Sequence, residues 1–123
     1  MKQSVFTADD FQAATGVSRE TLHGLQTYVD TLIDWNCRMS LVARSTLEDV
    51  WHRHVLDSAQ LFPLIPKGAS VLVDLGSGAG FPGLVLAIMG LPEVHLIEST
   101  GKKASFLEAA ADAAGVSVKI HNS

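Results

Sequence analysis

Cysteine is almost missing from this chain: Cys37 stands alone among 123 residues. One thiol can close no internal disulfide and build no cysteine metal cluster, so disulfide-stapled and zinc-ribbon scaffolds are excluded. Cys37 itself is expected as a reduced, partly buried core thiol. Surplus positive charge is missing too. The formal net charge is −4, which argues against tight, autonomous nucleic-acid binding and leaves room only for a local basic patch. Long apolar runs are lacking. The longest, Leu84 to Met89, falls far short of a bilayer span, so no membrane association is expected. The first residues show no basic stretch leading into an apolar one, and a cytoplasmic location is expected. No internal repeat or low-complexity segment interrupts the chain.

Apolar residues nonetheless make up 47% of the sequence, enough for one folded domain with one core. Thr7 with Asp10 three positions on reads as a helix start, closed by Gly16. Ser18 opens a longer helix whose Leu22, Leu25, Val29, Leu32 and Ile33 share a face that Trp35 extends, with Gln26, Asp30 and Asp34 turned to solvent. A second amphipathic stretch, Thr46 to Phe62, sets Leu47, Val50, Trp51, His54, Val55, Ser58 and Leu61 on one stripe before Pro63, Pro66 and Gly68 stop it. From Ala69 the pattern changes. Val71–Leu75 reads as a buried strand, Pro82–Met89 as a helix ended by Gly90, and Glu93–Glu98 as a strand. Thr100–Ala114 reads as a helix closed by Gly115, and Val116–His121 as a third strand. The fold class is therefore α/β: a helical layer over residues 1–66, then a β-α-β-α-β unit over 67–123, in one continuous domain.

The junction after the first strand carries the chemistry. Asp74-Leu75-Gly76-Ser77-Gly78-Ala79-Gly80-Phe81-Pro82-Gly83 is a strand end, a glycine loop and a helix start. Glycines let backbone approach a ligand, and a helix start offers unpaired N–H groups. Two registers are open. Gly78 to Gly83 matches G-x-G-x-x-G, the dinucleotide fingerprint. Asp74 to Gly80 matches acidic-x-G-x-G-x-G, the loop of Rossmann-like S-adenosylmethionine-dependent methyltransferases. The first glycine should follow the strand directly, as Gly76 does and Gly78 does not. Asp74 suits a ligand bearing positive charge and would repel a pyrophosphate. Glu98, at the end of the second strand, is placed to accept hydrogen bonds from ribose hydroxyls, which either cofactor offers. No lysine followed by Ser or Thr completes a P-loop. Asp74, Gly76, Ser77, Gly78, Gly80, Phe81 and Glu98 are the expected cofactor-binding residues, and S-adenosylmethionine the expected cofactor.

Further elements occur in order along the chain: Trp35-Asn36, Ser40-Leu41-Val42-Ala43, Arg53-His54-Val55-Leu56-Asp57-Ser58, the loop ending in Gly80-Phe81-Pro82-Gly83, Leu96-Ile97-Glu98-Ser99, Lys102-Lys103 and Phe106-Leu107. Together they resemble the bacterial small-subunit ribosomal RNA guanine-N7 methyltransferase family, also called glucose-inhibited division protein B. The resemblance runs from about Leu22 to the last residue. It implies methyl transfer from S-adenosylmethionine to N7 of one guanine in a decoding-region loop, with small-subunit ribosomal RNA or the ribosomal subunit as partner. It also implies cofactor contacts for Gly76 and Phe81 and a ribose contact for Glu98. The family continues well beyond Ser123, so this chain is expected to be its first half or two-thirds, with little or no turnover alone. The rival classes are a non-catalytic cofactor-binding fragment and, on the later glycine register, a nicotinamide-dependent oxidoreductase.

No residue is given a catalytic role. Guanine N7 has an available lone pair and needs no general base, so positioning would suffice. His54 and Asp57 are read as bracing or hydrogen-bonding residues. His23, His52, His95 and His121 lack metal-ligand spacing, and no metal site is expected. Lys102 and Lys103 read as a solvated face, and Trp35 and Trp51 as core. Lys2, Arg38, Arg44 and Arg53 form the expected weak RNA-facing patch. In the usual methyltransferase order the first strand is central. Left without a later neighbour, Val71–Leu75 would be an apolar edge through which the chain could self-associate.

Overall fold

A computed structural model describes residues 6–123; Lys2 lies outside them. Helix α1 spans Ala8–Thr15, and Thr7 and Asp10 close a reciprocal capping box at its start (Asp10 N to Thr7 Oγ1 3.1 Å, Thr7 N to Asp10 Oδ2 2.9 Å). Gly16 ends it in the left-handed conformation, which costs glycine little. Helix α2 spans Arg19–Asn36 behind the Ser18 cap. Leu22, Leu25, Val29 and Leu32 are buried and Gln26, Asp30 and Asp34 exposed, as periodicity predicts. Ile33 departs from that reading at 43% exposure. It lies roughly 80° around the helix from Leu25, at the margin of the stripe, and the buried arc runs the other way, to Tyr28. Cys37 is exposed rather than buried, because it caps the helix one residue past its end. Asn36 explains the next segment: its Oδ1 accepts from Leu41 N (2.8 Å) and Val42 N (3.1 Å), reversing the chain after α2.

The stretch from Thr46 to Phe62 is not one regular helix. Helix α3 covers only Arg44–Leu47, a π-helical turn covers Trp51–Leu56, α4 covers Asp57–Ala59, and a 3₁₀ turn covers Phe62–Leu64. A π turn takes in one residue more than an α turn and so shifts the phase of everything after it. Ser58 and Ala59 are consequently buried, while Leu61 turns outward at 42% exposure.

Strands β1 (Val71–Leu75), β2 (Glu93–Glu98) and β3 (Lys119–Asn122) form a parallel sheet in the order β1-β2-β3, with Val71 opposite Glu93 and His95 opposite Lys119. Helices α5 (Gly83–Ile88) and α6 (Gly101–Ala114) make the crossovers that parallel neighbours need. Strand β3 begins later than Val116, because Val116 N is still bonded back to Ala111 O (3.0 Å) in the closing turn of α6. One face of the sheet, carrying Leu72, Asp74, Val94, Leu96 and Glu98, lies under the helices. Helix α2 packs across α6. Gly24 permits the approach: a methyl group there would stand 3.2 Å from Ile88 and 3.3 Å from the Ala114 carbonyl. One apolar cluster runs from Phe11 through Tyr28 and Leu96 to Ala111.

The opposite face is open, which corrects the reading of β1 as a buried strand. Val71, Val73 and Leu75 are 53%, 54% and 76% exposed. An apolar run cannot say which of its two faces finds a partner. As the outermost strand, β1 also has a free edge among the described residues.

Candidate functional site

The glycine loop leaves β1 at the carboxyl end of the sheet. Gly76 N and Ser77 N both donate to the Ile97 carbonyl (2.8 and 3.1 Å), Gly80 N to Ser77 O (2.8 Å), and Gly78 N to Glu98 Oε1 (2.8 Å). Gly76, Gly78 and Gly80 have φ of +70°, +54° and +94°, a region that side chains rarely enter. Their surroundings differ. A Cβ on Gly76 would meet nothing within 4 Å, whereas one on Gly80 would stand 3.1 Å from both Leu84 Cβ and Tyr28 Oη. Gly76 and Gly78 thus form the outer rim of the loop. Gly80 and Ser77 are buried, with Ser77 Oγ donating to the Asp74 carbonyl at 3.0 Å.

Glu98 lies beneath the rim. Only 6% exposed, it also accepts from Thr100 N through Oε2 (2.9 Å). The Thr100 amide, above all, holds its pKa below the usual glutamate range; burial opposes this, and the Gly78 amide and Lys103 reinforce it. Each carboxylate oxygen keeps a further lone pair. Glu98 can therefore accept a ligand's hydroxyls while still holding the loop. Asp74 is half-buried and accepts from Gly83 N (3.1 Å). Burial raises its pKa, against the lowering effect of that bond and of Ser77. Its carboxylate braces the start of α5 at Gly83 N, and the next amide, Leu84 N, donates to Gly80 O (2.8 Å).

Phe81 leads through a cis peptide into Pro82. The His54 ring, on the π turn, stacks on Phe81 with centroids 4.8 Å apart and planes 19° apart. Its Nε2 is buried without a partner. Burial, then Arg53, lowers its pKa, outweighing Asp57, so the ring is neutral near pH 7. Asp57 is exposed and forms no hydrogen bond with it. Lys102 is exposed, while Lys103 is half-buried. Trp35 packs edge-on against Phe106 (5.8 Å) and Trp51 against Phe11 (5.5 Å), both only partly buried at the margin of the core rather than within it. Arg38, Arg44 and Arg53 are exposed, with Arg38 occupied by Asp34 (3.4 Å) and the Trp35 ring. Among the described residues no group of three or more His, Cys, Asp or Glu is placed to hold a metal, and no helix is long and apolar enough to cross a membrane.

Two residues escaped the reading of the sequence. Asn122, at the end of β3, donates through Nδ2 to the carbonyls of Glu98 (2.8 Å) and Ser99 (3.1 Å), fixing the turn that carries Glu98. Tyr28 donates from its buried hydroxyl to the Ala79 carbonyl (2.6 Å). Its signal in the sequence was slight: the sole tyrosine, among leucines and valines.

The arrangement joins an open glycine rim to an ionised, buried carboxylate, with a second carboxylate at its base. The amides of Gly76, Ser77, Gly78 and Gly80 already have acceptors, and an entering phosphate would meet the negative charge of Glu98 beside the Asp74 carboxyl. A neutral diol attached to a cationic group faces neither obstacle. The profile of the family described as "GidB: rRNA small subunit methyltransferase G" matches residues 21–123. The chain belongs to the GidB family. Among curated relatives, the Ribosomal RNA small subunit methyltransferase G of Rhodospirillum centenum is 65% identical over 116 residues, which cover 94% of this chain and 54% of the relative. Its namesake from Paramagnetospirillum magneticum is 54% identical, covering 93% and 56%, and that of Zymomonas mobilis 47% identical, covering 85% and 51%. This GidB chain thus spans about half the length of the curated relatives it matches. The helices followed by a three-stranded parallel sheet agree with a Rossmann-like methyltransferase fold.

Proposed function

We propose that the chain carries the cofactor-binding part of an S-adenosylmethionine-dependent methyltransferase that modifies N7 of a guanine in small-subunit ribosomal RNA, acting in the cytoplasm. The observation that supports this most is the pairing of Gly78 with Glu98 beneath an open rim at Gly76. Glu98, held ionised, would accept the ribose hydroxyls. Gly76 and Gly78 would let backbone lie against the nucleoside, and Phe81 would bound the rim. Asp74 supplies negative charge beside a cationic ligand, while Ser77 and Gly80 shape the loop from within. The donor set fits a nucleoside carrying positive charge better than one carrying a pyrophosphate. When bound, S-adenosylmethionine supplies a methyl group on an electrophilic sulfonium. The protein's part is to orient that group and the guanine and to exclude water.

Calorimetry in parallel tests this reading. S-adenosylhomocysteine is expected to bind and NAD not; binding of NAD alone would overturn it. The free edge and open apolar face of β1 further support self-association through β1 of two copies. Light scattering is expected to show a mass rising with concentration, and a monomer at high concentration would count against it.

A further inference from the structure

The peptide between Ala79 and Gly80 is tied at both ends. Its N–H donates to Ser77 O (2.8 Å), and its carbonyl accepts from the Tyr28 hydroxyl (2.6 Å) on a helix 51 residues upstream. Glycine at 80 makes rotation of such a peptide easy, so what fixes its orientation is the pair of hydrogen bonds. Tyr28 also closes the space over Gly80, where a Cβ would meet its oxygen at 3.1 Å. Its ring leans on Phe81 (5.6 Å), whose other aromatic neighbour is His54. Residues 79–81 are thereby gripped from α2 and from the π turn together. We infer that Tyr28 is a positioning residue of the glycine loop: its hydroxyl locks the Ala79 carbonyl and so holds the Gly76–Gly78 rim in the shape that receives a ligand. The inference rests on the proposed function for the identity of that ligand.

A buried tyrosine with a satisfied hydroxyl could equally serve the core alone, and the test separates the two roles. Tyr28→Phe keeps the ring and its contacts and removes one donor. Phe11→Leu perturbs the same core beside Trp51, away from the loop. Urea melts of the full chain identify conditions in which both variants are folded to the same extent. Under these, Tyr28→Phe is expected to speed amide exchange about tenfold at Gly78 and Gly80, whose N–H groups donate to Glu98 and Ser77, since a tie worth about one buried hydrogen bond is lost. It is expected to weaken S-adenosylhomocysteine binding about five- to tenfold, as the competent loop population falls. Phe11→Leu should change neither. Affinity within twofold of the unmodified chain, or loop exchange no faster than in Phe11→Leu, would overturn the inference. If the unmodified chain binds no S-adenosylhomocysteine, the proposed function fails, and the exchange comparison in the free chain then decides the role of Tyr28 by itself.

Discussion

Gly83→Ala is expected to cost about 1–3 kcal/mol of folding stability and to weaken nucleoside binding with it. The added methyl would sit 2.5 Å from Leu96 Cδ2 and 2.8 Å from Asp74 Oδ2. Leu96 is fully buried and has nowhere to withdraw. Asp74 can move only by lengthening its bond to Gly83 N, which leaves a half-buried carboxylate with less compensation for its lost water. No backbone strain enters, because Gly83 does not have a positive φ. Gly101→Ala supplies the contrast: its Cβ would make only an ordinary contact, 3.7 Å from Asn122 Oδ1, in the first turn of α6. That variant should match or slightly exceed the original stability, by up to about 1 kcal/mol. Urea unfolding of the two variants side by side checks both; a Gly83→Ala variant as stable as Gly101→Ala would mean that crowding at Gly83 is relieved by movement of α5.

Glu98→Gln is expected to cost about 2 kcal/mol of stability and at least about tenfold in affinity for S-adenosylhomocysteine. An amide can still accept at one oxygen, but its NH₂ group would face either the Gly78 or the Thr100 N–H, donor against donor. Proton linkage follows from the same carboxylate. Its folded pKa lies below the ordinary value, so the unfolded chain takes up the proton first. The stabilisation is present above the ordinary glutamate range, roughly pH 4.3, and is lost as pH falls through the lower folded value. Between pH 7 and pH 5 this contribution stays level, and below about pH 4.3 it declines. In Glu98→Gln that part of the acid dependence disappears. Stability measured against pH in both proteins tests the sign as well as the size, and an unchanged acid limb in the variant would show that Glu98 does not hold the loop.

The sequence was most legible where local chemistry and packing agree. Glu93–Glu98 matches its strand residue for residue, because alternation, β-branching and the flanking turns all point the same way. The ends of α1 and α6 follow from Gly16 and Gly115, whose left-handed conformations are local properties. Glu98 could be singled out because a strand end next to a glycine loop is a position, not a contact. What it touches was less accessible: its bonds to Gly78 and Thr100 depend on how the loop folds back over β2. The π turn escaped because periodicity counts residues per turn and cannot register one added inside a helix. Tyr28 and Asn122 were hidden for a related reason. Their partners lie 51 and 24 residues away, and nothing in the local pattern announces a bond closed by tertiary structure. The open face of β1 is the clearest case. Val71, Val73 and Leu75 look like core in any window of sequence, yet the described helices lie on the other face of the sheet.

The loop that leaves β1 is ordered by its own chain, with Ile97, Glu98, Ser77 and Tyr28 holding its polar groups. The entropy of arranging three consecutive glycine turns is therefore lost when the protein folds, not when a ligand arrives. Affinity and melting temperature become two readings of one quantity. A ligand at a hundred times its dissociation constant would raise folding stability by about 2.7 kcal/mol.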